Sequence, residues 1–224
     1  EYDKVSLAKY KGSMSQKDSV YFNEYIGRIA SLLEGSRCEN GTYVYYAVED
    51  VQVKFIPSVC GRYSKDKELS KLDDSLTRIS ECLLPKGIEY AFCDEGDLEG
   101  EFTAKRIVVP EIDFITAAAA EKLQKAESRG CEIVFLMNRP RLVETGEQQE
   151  GAGKVLSYEE LAEAELAERK AKQELLLPDN IYLQHYENGF LYVYNNNLSA
   201  CFCTPLRKYV CYDPCDGSES VLGP

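Results

Sequence analysis

The stretch that decides the fold spans residues 106–136 and reads RIVVPEIDFITAAAAEKLQKAESRGCEIVFL. Residues 107–110 and 133–136 are short apolar runs rich in β-branched side chains, which predict two strands buried on both faces. Between them, Thr116 can cap a helix that runs to residue 129, and Gly130 can end it. A strand, a helix and a strand in this order predict a parallel pair joined by a crossover helix.

The same alternation of helices and strands extends towards the N-terminus. Apolar residues recur at helical spacing in residues 15–35 and 66–84, while residues 42–48 and 88–92 have the composition of strands. Strands that alternate with helices at this spacing favour a layered α/β fold with a mostly parallel sheet, covered on both faces. We expect a flavodoxin-like or class I amidotransferase-like domain over residues 1–150.

Residues 151–224 have a different pattern. The preceding residues 144–153 are polar and glycine-containing, as in a linker. Ser157 with Glu160 three residues later predicts a capping box and a helix to about residue 174. Period-two segments follow, with Asn188-Gly189 as a hairpin turn. We predict a helix and a small antiparallel β section, short enough to be an incomplete β-sandwich.

Composition excludes several classes of function. The 224 residues carry a net charge of −12, which would repel nucleic acid. The chain has one histidine and nine cysteines without the paired knuckles of a zinc ribbon, so neither a metal nor another cofactor is expected. Several of these cysteines lie within apolar runs, as reduced thiols of a cytoplasmic protein do. Since the apolar stretches are only strand-length, no membrane partner is predicted.

The common catalytic motifs are missing from the sequence. It contains neither of the glycine-rich phosphate-binding motifs GxGxxG and GxxxxGK[ST]. It also contains no nucleophile elbow of the form GxSxG or GxCxG. Cys60-Gly61 is the nearest approach to an elbow, and His185 is the only histidine that could serve it as a base. We interpret His185 instead as a strand residue beside Tyr186.

Two acidic residues follow the strand at residues 107–110. Glu111 and Asp113 would lie at the carboxyl edge of the sheet, where ligands bind in open α/β folds. We therefore predict them as substrate-binding residues, either ligands for a sugar or acid/base groups, although a simple turn into the helix at Thr116 would have the same pattern. Tyrosines could also stack on sugar rings where they are exposed. They are Tyr43, Tyr45, Tyr46, Tyr182, Tyr186, Tyr192 and Tyr194.

Four segments, in the same order, are similar to one family. Residues 21–33 (YFNEYIGRIASLL), 106–136, 182–197 and 212–217 (YDPCDG) resemble the region after the catalytic barrel in bacterial glycoside hydrolases of the α-L-rhamnosidase and β-galactosidase-like type. The resemblance implies an amidotransferase-like or trimerisation domain beside a sugar-cleaving barrel, followed by the start of a β-domain. It assigns no catalytic residue to this chain.

The chain begins at Glu1 instead of a methionine, which we interpret as a piece of a longer protein. The expected function is that of a non-catalytic accessory region of a glycosidase, inactive alone. Its expected partner is the barrel of the same parent chain, with contacts between copies as a second role. Two alternatives stay open at this point: a carbohydrate-binding module and a self-contained amidotransferase-type hydrolase.

Overall fold

The computed structural model describes residues 16–36, 41–56, 67–99, 104–151, 153–172, 175–176, 180–195, 197, 204–205, 209–213 and 215–222. The predicted fold class is confirmed, because a five-stranded parallel sheet is combined with helices and small antiparallel hairpins. Cys38, Cys60, Cys201 and Cys203 lie outside the described residues, and so does the Cys60-Gly61 pair that came nearest to an elbow.

The helices are α1 (Gln16–Leu33), α2 (Val48–Lys54), α3 (Lys67–Leu83), α4 (Ala117–Ser128) and α5 (Tyr158–Lys172). The main sheet contains β1 (Thr42–Tyr45), β2 (Ala91–Cys93), β3 (Arg106–Val109), β5 (Glu132–Leu136) and β7 (Lys154–Leu156). The remaining strands pair in twos and are β4 (Phe114–Ile115), β6 (Arg141–Leu142), β8 (Leu175–Leu176), β9 (Ile181–His185), β10 (Leu191–Asn195), β11 (Thr204–Pro205), β12 (Tyr209–Tyr212) and β13 (Glu219–Leu222).

The main sheet has the strand order of flavodoxin. Its order is β2-β1-β3-β5-β7, with parallel pairing throughout. If the five strands of this sheet are numbered in the order in which they occur along the chain, they lie side by side as 2-1-3-4-5. This is the doubly wound order of the flavodoxin-like fold. In that order the topological switch point lies between β1 and β3. Ligand sites are therefore expected outside the carboxyl ends of these two strands.

Alternate residues of the central strands supply two separate cores. Tyr45, Ile107 and Phe135 face one side, where they pack with the buried residues of α4. Val108 and Val134 face the other side, with the buried side chains of α3 and α5. Each central strand is thus apolar on both faces, as strands of a doubly covered parallel sheet are.

Strand β7 was not predicted, since the sequence around it reads as a linker. Val155 pairs with Phe135 in parallel, which makes this short segment the edge strand beyond β5. The chain enters it through Gly153, whose φ of +93° suits glycine. Helix α5 then packs on the sheet through Tyr158 and Leu161. Residues 154–172 therefore complete the sheet of the first predicted domain, while the domain boundary at residue 150 stays a prediction.

Helix α2 was also missed, because the strand before it was predicted to continue to residue 48. The strand ends at Tyr45, and the helix begins at Val48 with two acidic residues in its first turn. These residues, Glu49 and Asp50, are both buried. Oε1 of Glu49 accepts a hydrogen bond from the hydroxyl of Tyr45 at 2.8 Å, so the partner of this buried carboxyl group lies within the same segment.

A buried charge network joins β3 to α5 at the amino end of the sheet. The guanidinium of Arg106 contacts Glu165 at 2.5 Å, Glu132 at 2.6 Å and Glu168 at 3.0 Å. The hydroxyl of Thr42 donates to the same oxygen of Glu165 at 2.5 Å. Burial lowers the pKa of Arg106, but the hydrogen bonds that its guanidinium donates to Glu165 and Glu132 outweigh this effect and raise the pKa above its ordinary value, so the network stays ionised.

The local signals near the C-terminal half are confirmed. The backbone N–H of Glu160 donates to the hydroxyl of Ser157 at 3.2 Å, and the carboxylate of Glu160 accepts from the backbone N–H of Ser157 at 2.7 Å. This pair is the predicted capping box. Gly189 has a φ of +83° in the turn of the predicted hairpin, which joins β9 to β10 in antiparallel register.

Candidate functional site

The carboxyl ends of β1 and β3 are tied together by one buried carboxylate. Asp50, in the first turn of α2, is 1% exposed. Its Oδ1 accepts hydrogen bonds from the backbone N–H groups of Asp113 at 3.0 Å and Phe114 at 2.9 Å. The segment that follows β3 is therefore fixed to the segment that follows β1, at the topological switch point of the sheet.

Asp113 lies at this junction and binds two lysines. Its Oδ2 is 2.6 Å from Nζ of Lys54, and its Oδ1 is 2.5 Å from Nζ of Lys71. Lys54 also contacts Asp50 at 2.9 Å. Burial works to raise the pKa of Asp113, but the hydrogen bonds from Lys54 and Lys71 outweigh it and lower that pKa. Asp113 is consequently an anion at neutral pH.

Glu111 lies in a second set of contacts beside the first. Its Oε2 is 3.4 Å from the hydroxyl of Tyr158, which in turn lies 2.9 Å from the hydroxyl of Ser75. The backbone N–H of Glu111 donates to that same Ser75 oxygen at 2.8 Å. Arg78 stacks over the ring of Tyr158 at 4.6 Å and lies 3.8 Å from Oε2 of Glu111.

One lysine joins the two predicted site residues. Nζ of Lys71, on α3, lies between Oε1 of Glu111 at 3.8 Å and Oδ1 of Asp113 at 2.5 Å. The side chains of Glu111 and Asp113 retain 26% and 33% of their exposure. The two acidic residues therefore present polar oxygens at the surface, and Lys71 lies between their carboxylates.

A polar groove of about 730 Å³ extends from Asp113 along the carboxyl edge. Its volume is within the range of about 300–1,000 Å³ that is usual for small-molecule sites. Asn138 donates to the carbonyl of Ile112 at 3.0 Å and so fixes the wall after β5. Met137 precedes it with a φ of +63°, a conformation that is costly for a residue with a side chain. The groove is lined by Lys54, Glu68, Asp113, Phe114, Asn138, Arg139, Arg141 and Gln148.

A second groove, of about 540 Å³, has an aromatic lining. Three of the predicted tyrosines, Tyr186, Tyr192 and Tyr194, lie in it together with Tyr90 and Phe92 from the segment of β2. The other predicted tyrosines differ in exposure: one is buried (Tyr45), one is half-buried (Tyr43), one is exposed (Tyr46), and the side chain of Tyr182 is not described.

His185 is held by a carboxylate close to this second groove. Oε1 of Glu89 lies 2.6 Å from its Nδ1, and Oε2 of the same residue accepts from its backbone N–H at 2.9 Å. His185 is in strand β9, as predicted, and these contacts fasten the hairpin to the segment before β2.

The described cysteines are free thiols, and two of them, Cys93 and Cys131, are buried. Burial raises the pKa of Cys93 to about 12 and that of Cys131 to about 11, so both are protonated at neutral pH. Within the described ranges, no three His, Cys, Asp or Glu side chains converge as the ligands of a metal would. Of the helices that the structure describes, none has the length and apolarity to cross a membrane.

The sequence did not indicate which cations would neutralise the predicted acidic residues. Lys54 is 10% exposed at its side chain and belongs to the helix that was missed, while Lys71 stands on the polar side of a predicted helix. A lysine one helical turn after a buried aspartate, as in Asp50 and Lys54, was the available signal. This spacing indicates an ion pair only once a helix is known to begin at residue 48.

The fold of this chain is similar to parts of two solved glycosidases. A β-galactosidase from Bacillus circulans sp. alkalophilus matches with a TM-score of 0.53 and 10% identity, over 92% of this chain and 43% of that one. The apo exo-carrageenase GH42 from Bacteroides ovatus matches with a TM-score of 0.50 and 16% identity, over 92% of this chain and 30% of that one. No protein-family model matches the chain, and no curated protein matches it significantly. The chain thus spans less than half of either enzyme and has the fold of that part, which confirms the predicted resemblance for the fold.

Proposed function

We propose that this chain is a non-catalytic accessory region of a larger glycoside hydrolase-like protein. It would support or rim a sugar-cleaving barrel of the same parent chain, or mediate contacts between copies. The observation that carries the proposal is the extent of the structural match: 92% of the chain superposes on less than half of each of two much longer glycosidases. The free thiols of Cys93 and Cys131 support a cytoplasmic location.

The chemistry at the carboxyl edge supports a binding or positioning role for Glu111 and Asp113. A glycosidase needs one carboxyl group that is protonated near neutral pH, with a raised pKa, to protonate the leaving group. The pKa of Asp113 is lowered instead, and both of its oxygens contact lysine ammonium groups. In the proposed role, these half-buried carboxylates would accept hydrogen bonds from sugar hydroxyls at the rim of a neighbouring cleft.

The first test is to read the complete coding region. We expect one continuous reading frame in which a segment of about 250 residues with eight βα repeats accompanies this chain. A coding region that specifies only this chain would overturn the proposal.

The second test is an assay of the purified chain against a panel of nitrophenyl glycosides. We expect no release of nitrophenol from a chain whose far-ultraviolet circular dichroism shows it folded. Turnover that is lost in Glu111→Gln or Asp113→Asn would contradict a non-catalytic role. In the longer protein, Glu111→Gln is expected to raise KM with kcat unchanged, because it removes binding and leaves the chemistry intact.

A further inference from the structure

The aromatic groove between the β2 segment and the β9–β10 hairpin has the composition of a sugar site. Five of its eight lining residues are aromatic, and the other three are Leu84, Glu89 and Gln184. Phe92 and Tyr194 are 53% and 45% exposed, so ring surface on both sides of the groove is open to solvent.

The register of the hairpin places the polar and aromatic groups on one face. Tyr192 and Tyr194 are two residues apart on β10, so their side chains leave the strand on the same side. Gln184 of β9 pairs directly with Tyr192, and Tyr186, the residue just after β9, also lines the groove. Val193 points to the opposite face.

Contacts among the lining residues, and from them to His185 and Ser80, hold the walls of the groove in place. Glu89 accepts from Gln184 at 3.4 Å in addition to its two contacts with His185, which fixes the hairpin to the segment before β2. The hydroxyl of Tyr90 lies 2.7 Å from that of Ser80 on α3. The ring of Phe92 meets that of Tyr90 edge-on, with centroids 5.8 Å apart. A groove fixed in this way loses little conformational freedom when a ligand binds.

The chemistry of the lining selects one class of ligand. A pyranose ring has an apolar face of C–H bonds that can stack on an aromatic side chain, and a rim of hydroxyls that need hydrogen-bond partners. Tyrosine offers both a ring and a hydroxyl, and a carboxylate and an amide lie between the rings. The net charge of −12 and the carboxylate of Glu89 disfavour an anionic ligand.

We propose that this groove binds a neutral oligosaccharide of pyranose units, with sugar rings stacked on Phe92 and Tyr194. The proposal goes beyond the accessory role and does not depend on it, because the groove is built from β2 and the hairpin and not from the carboxyl edge that carries Glu111 and Asp113.

The experiment is isothermal titration calorimetry of the full chain with two neutral β-1,4-linked tetrasaccharides, one of galactose and one of glucose. A sulfated tetrasaccharide with one of these two backbones is titrated in the same way. We expect at least one neutral sugar to bind, with a Kd on the order of 1 mM. The sulfated sugar is expected to bind more weakly. Phe92→Ala and Tyr194→Ala should each weaken binding about three- to tenfold, since each removes one stacking ring.

Val193→Ala is the matched control, because Val193 lies on the other face of the same strand and is comparably exposed at 44%. It should leave the Kd unchanged. Failure of every neutral sugar to bind, tighter binding of the sulfated sugar, or an equal loss in Val193→Ala would overturn the proposal. So would self-association of the chain that Tyr194→Ala abolishes, since the groove would then hold a second copy. None of these results bears on the reading-frame test, so the two proposals fail separately.

Discussion

Nη1 of Arg106 lies 2.5 Å from Oε1 of Glu165, and this buried ion pair links the central strand β3 to the last helix of the sheet. Both side chains are nearly inaccessible, at 3% and 9% exposure. Glu165 could not stay buried and charged without Arg106, because an isolated charge in a protein interior costs several kcal/mol.

Removing one member of this pair is expected to be severe. Arg106→Met should lower the free energy of unfolding by about 3–5 kcal/mol, because Glu165 is left buried without its cation. The double variant Arg106→Met/Glu165→Leu should recover part of that loss, since no buried charge is then orphaned and only the buried hydroxyl of Thr42 loses its acceptor. Urea unfolding of the three proteins measures both values. A single variant that is as stable as the double variant would contradict this account.

The ion pairs that Asp113 makes with its two lysines should make the free energy of unfolding depend on pH in the acidic range. Since the folded-state pKa of Asp113 lies below its ordinary value of 3.8, its contribution is full above that value and is lost as the pH falls through the lowered pKa. Asp113→Asn should therefore cost about 1–2 kcal/mol at pH 7, and the gap from the native chain should shrink below about pH 3. Urea midpoints across that range give the result.

Glu121→Gln serves as the control for that experiment. Glu121 pairs with Lys125 at 2.7 Å, but both side chains are about two-thirds exposed. An exposed pair of this kind contributes little, so its removal should leave stability nearly unchanged at either pH. An equal effect of the two substitutions would show that burial of the lysines around Asp113 does not matter.

We expect the buried Glu49 to give the stability of the folded state the opposite dependence on pH. Burial raises its pKa above the ordinary 4.5, despite the hydrogen bond from Tyr45. The folded state then holds the proton more tightly than the unfolded state, so stability falls as the pH rises through the raised pKa. Glu49→Gln keeps an acceptor for Tyr45 and should be more stable than the native chain at pH 7, with the difference vanishing near pH 4. Melting temperatures at the two pH values decide it.

Gly153 is expected to tolerate no side chain. A Cβ there would lie 2.9 Å from the ring of Phe135 and 3.0 Å from the carbonyl oxygen of Ile133, at a φ of +93°. Gly153→Ala should cost about 2–4 kcal/mol, from strain and overpacking together. Gly146→Ala has a similar φ of +71° but open space around it, so it should cost only about 1 kcal/mol. Equal losses in chemical denaturation would rule out the packing contribution.

Much of the fold could be predicted because its signals are local. The composition of residues 107–110 and 133–136 predicts the buried strands that the structure has as β3 and β5, and the capping box at Ser157 and Glu160 marks the start of α5 without reference to any other element. The positions of these two strands and of the helix start depend on side chains that are only a few residues apart. A local sequence pattern therefore predicts them.

The parts that were missed depend on distant partners. Strand β7 is three residues long, begins with Lys154, and exists because its backbone pairs with β5. Glu49 and Asp50 look like surface residues, yet Asp50 is buried because it binds the backbone of Asp113 and Phe114. Likewise Phe92 and Tyr194 meet in one groove only after the hairpin has docked. Features of this kind are determined by tertiary contacts, so a local sequence pattern does not predict them.

The flavodoxin-like strand order also has a kinetic consequence. Arg106 and Glu132 pair across only 26 residues, whereas the contact of Asp50 with Asp113 closes a loop of 63. Closing a longer loop loses more chain entropy before any contact repays it. We therefore expect the half of the sheet around β3, β5 and β7 to assemble first, and β1 with its helix α2 to dock onto it. The switch point, where the candidate site lies, would then be among the last regions of the chain to reach its native geometry.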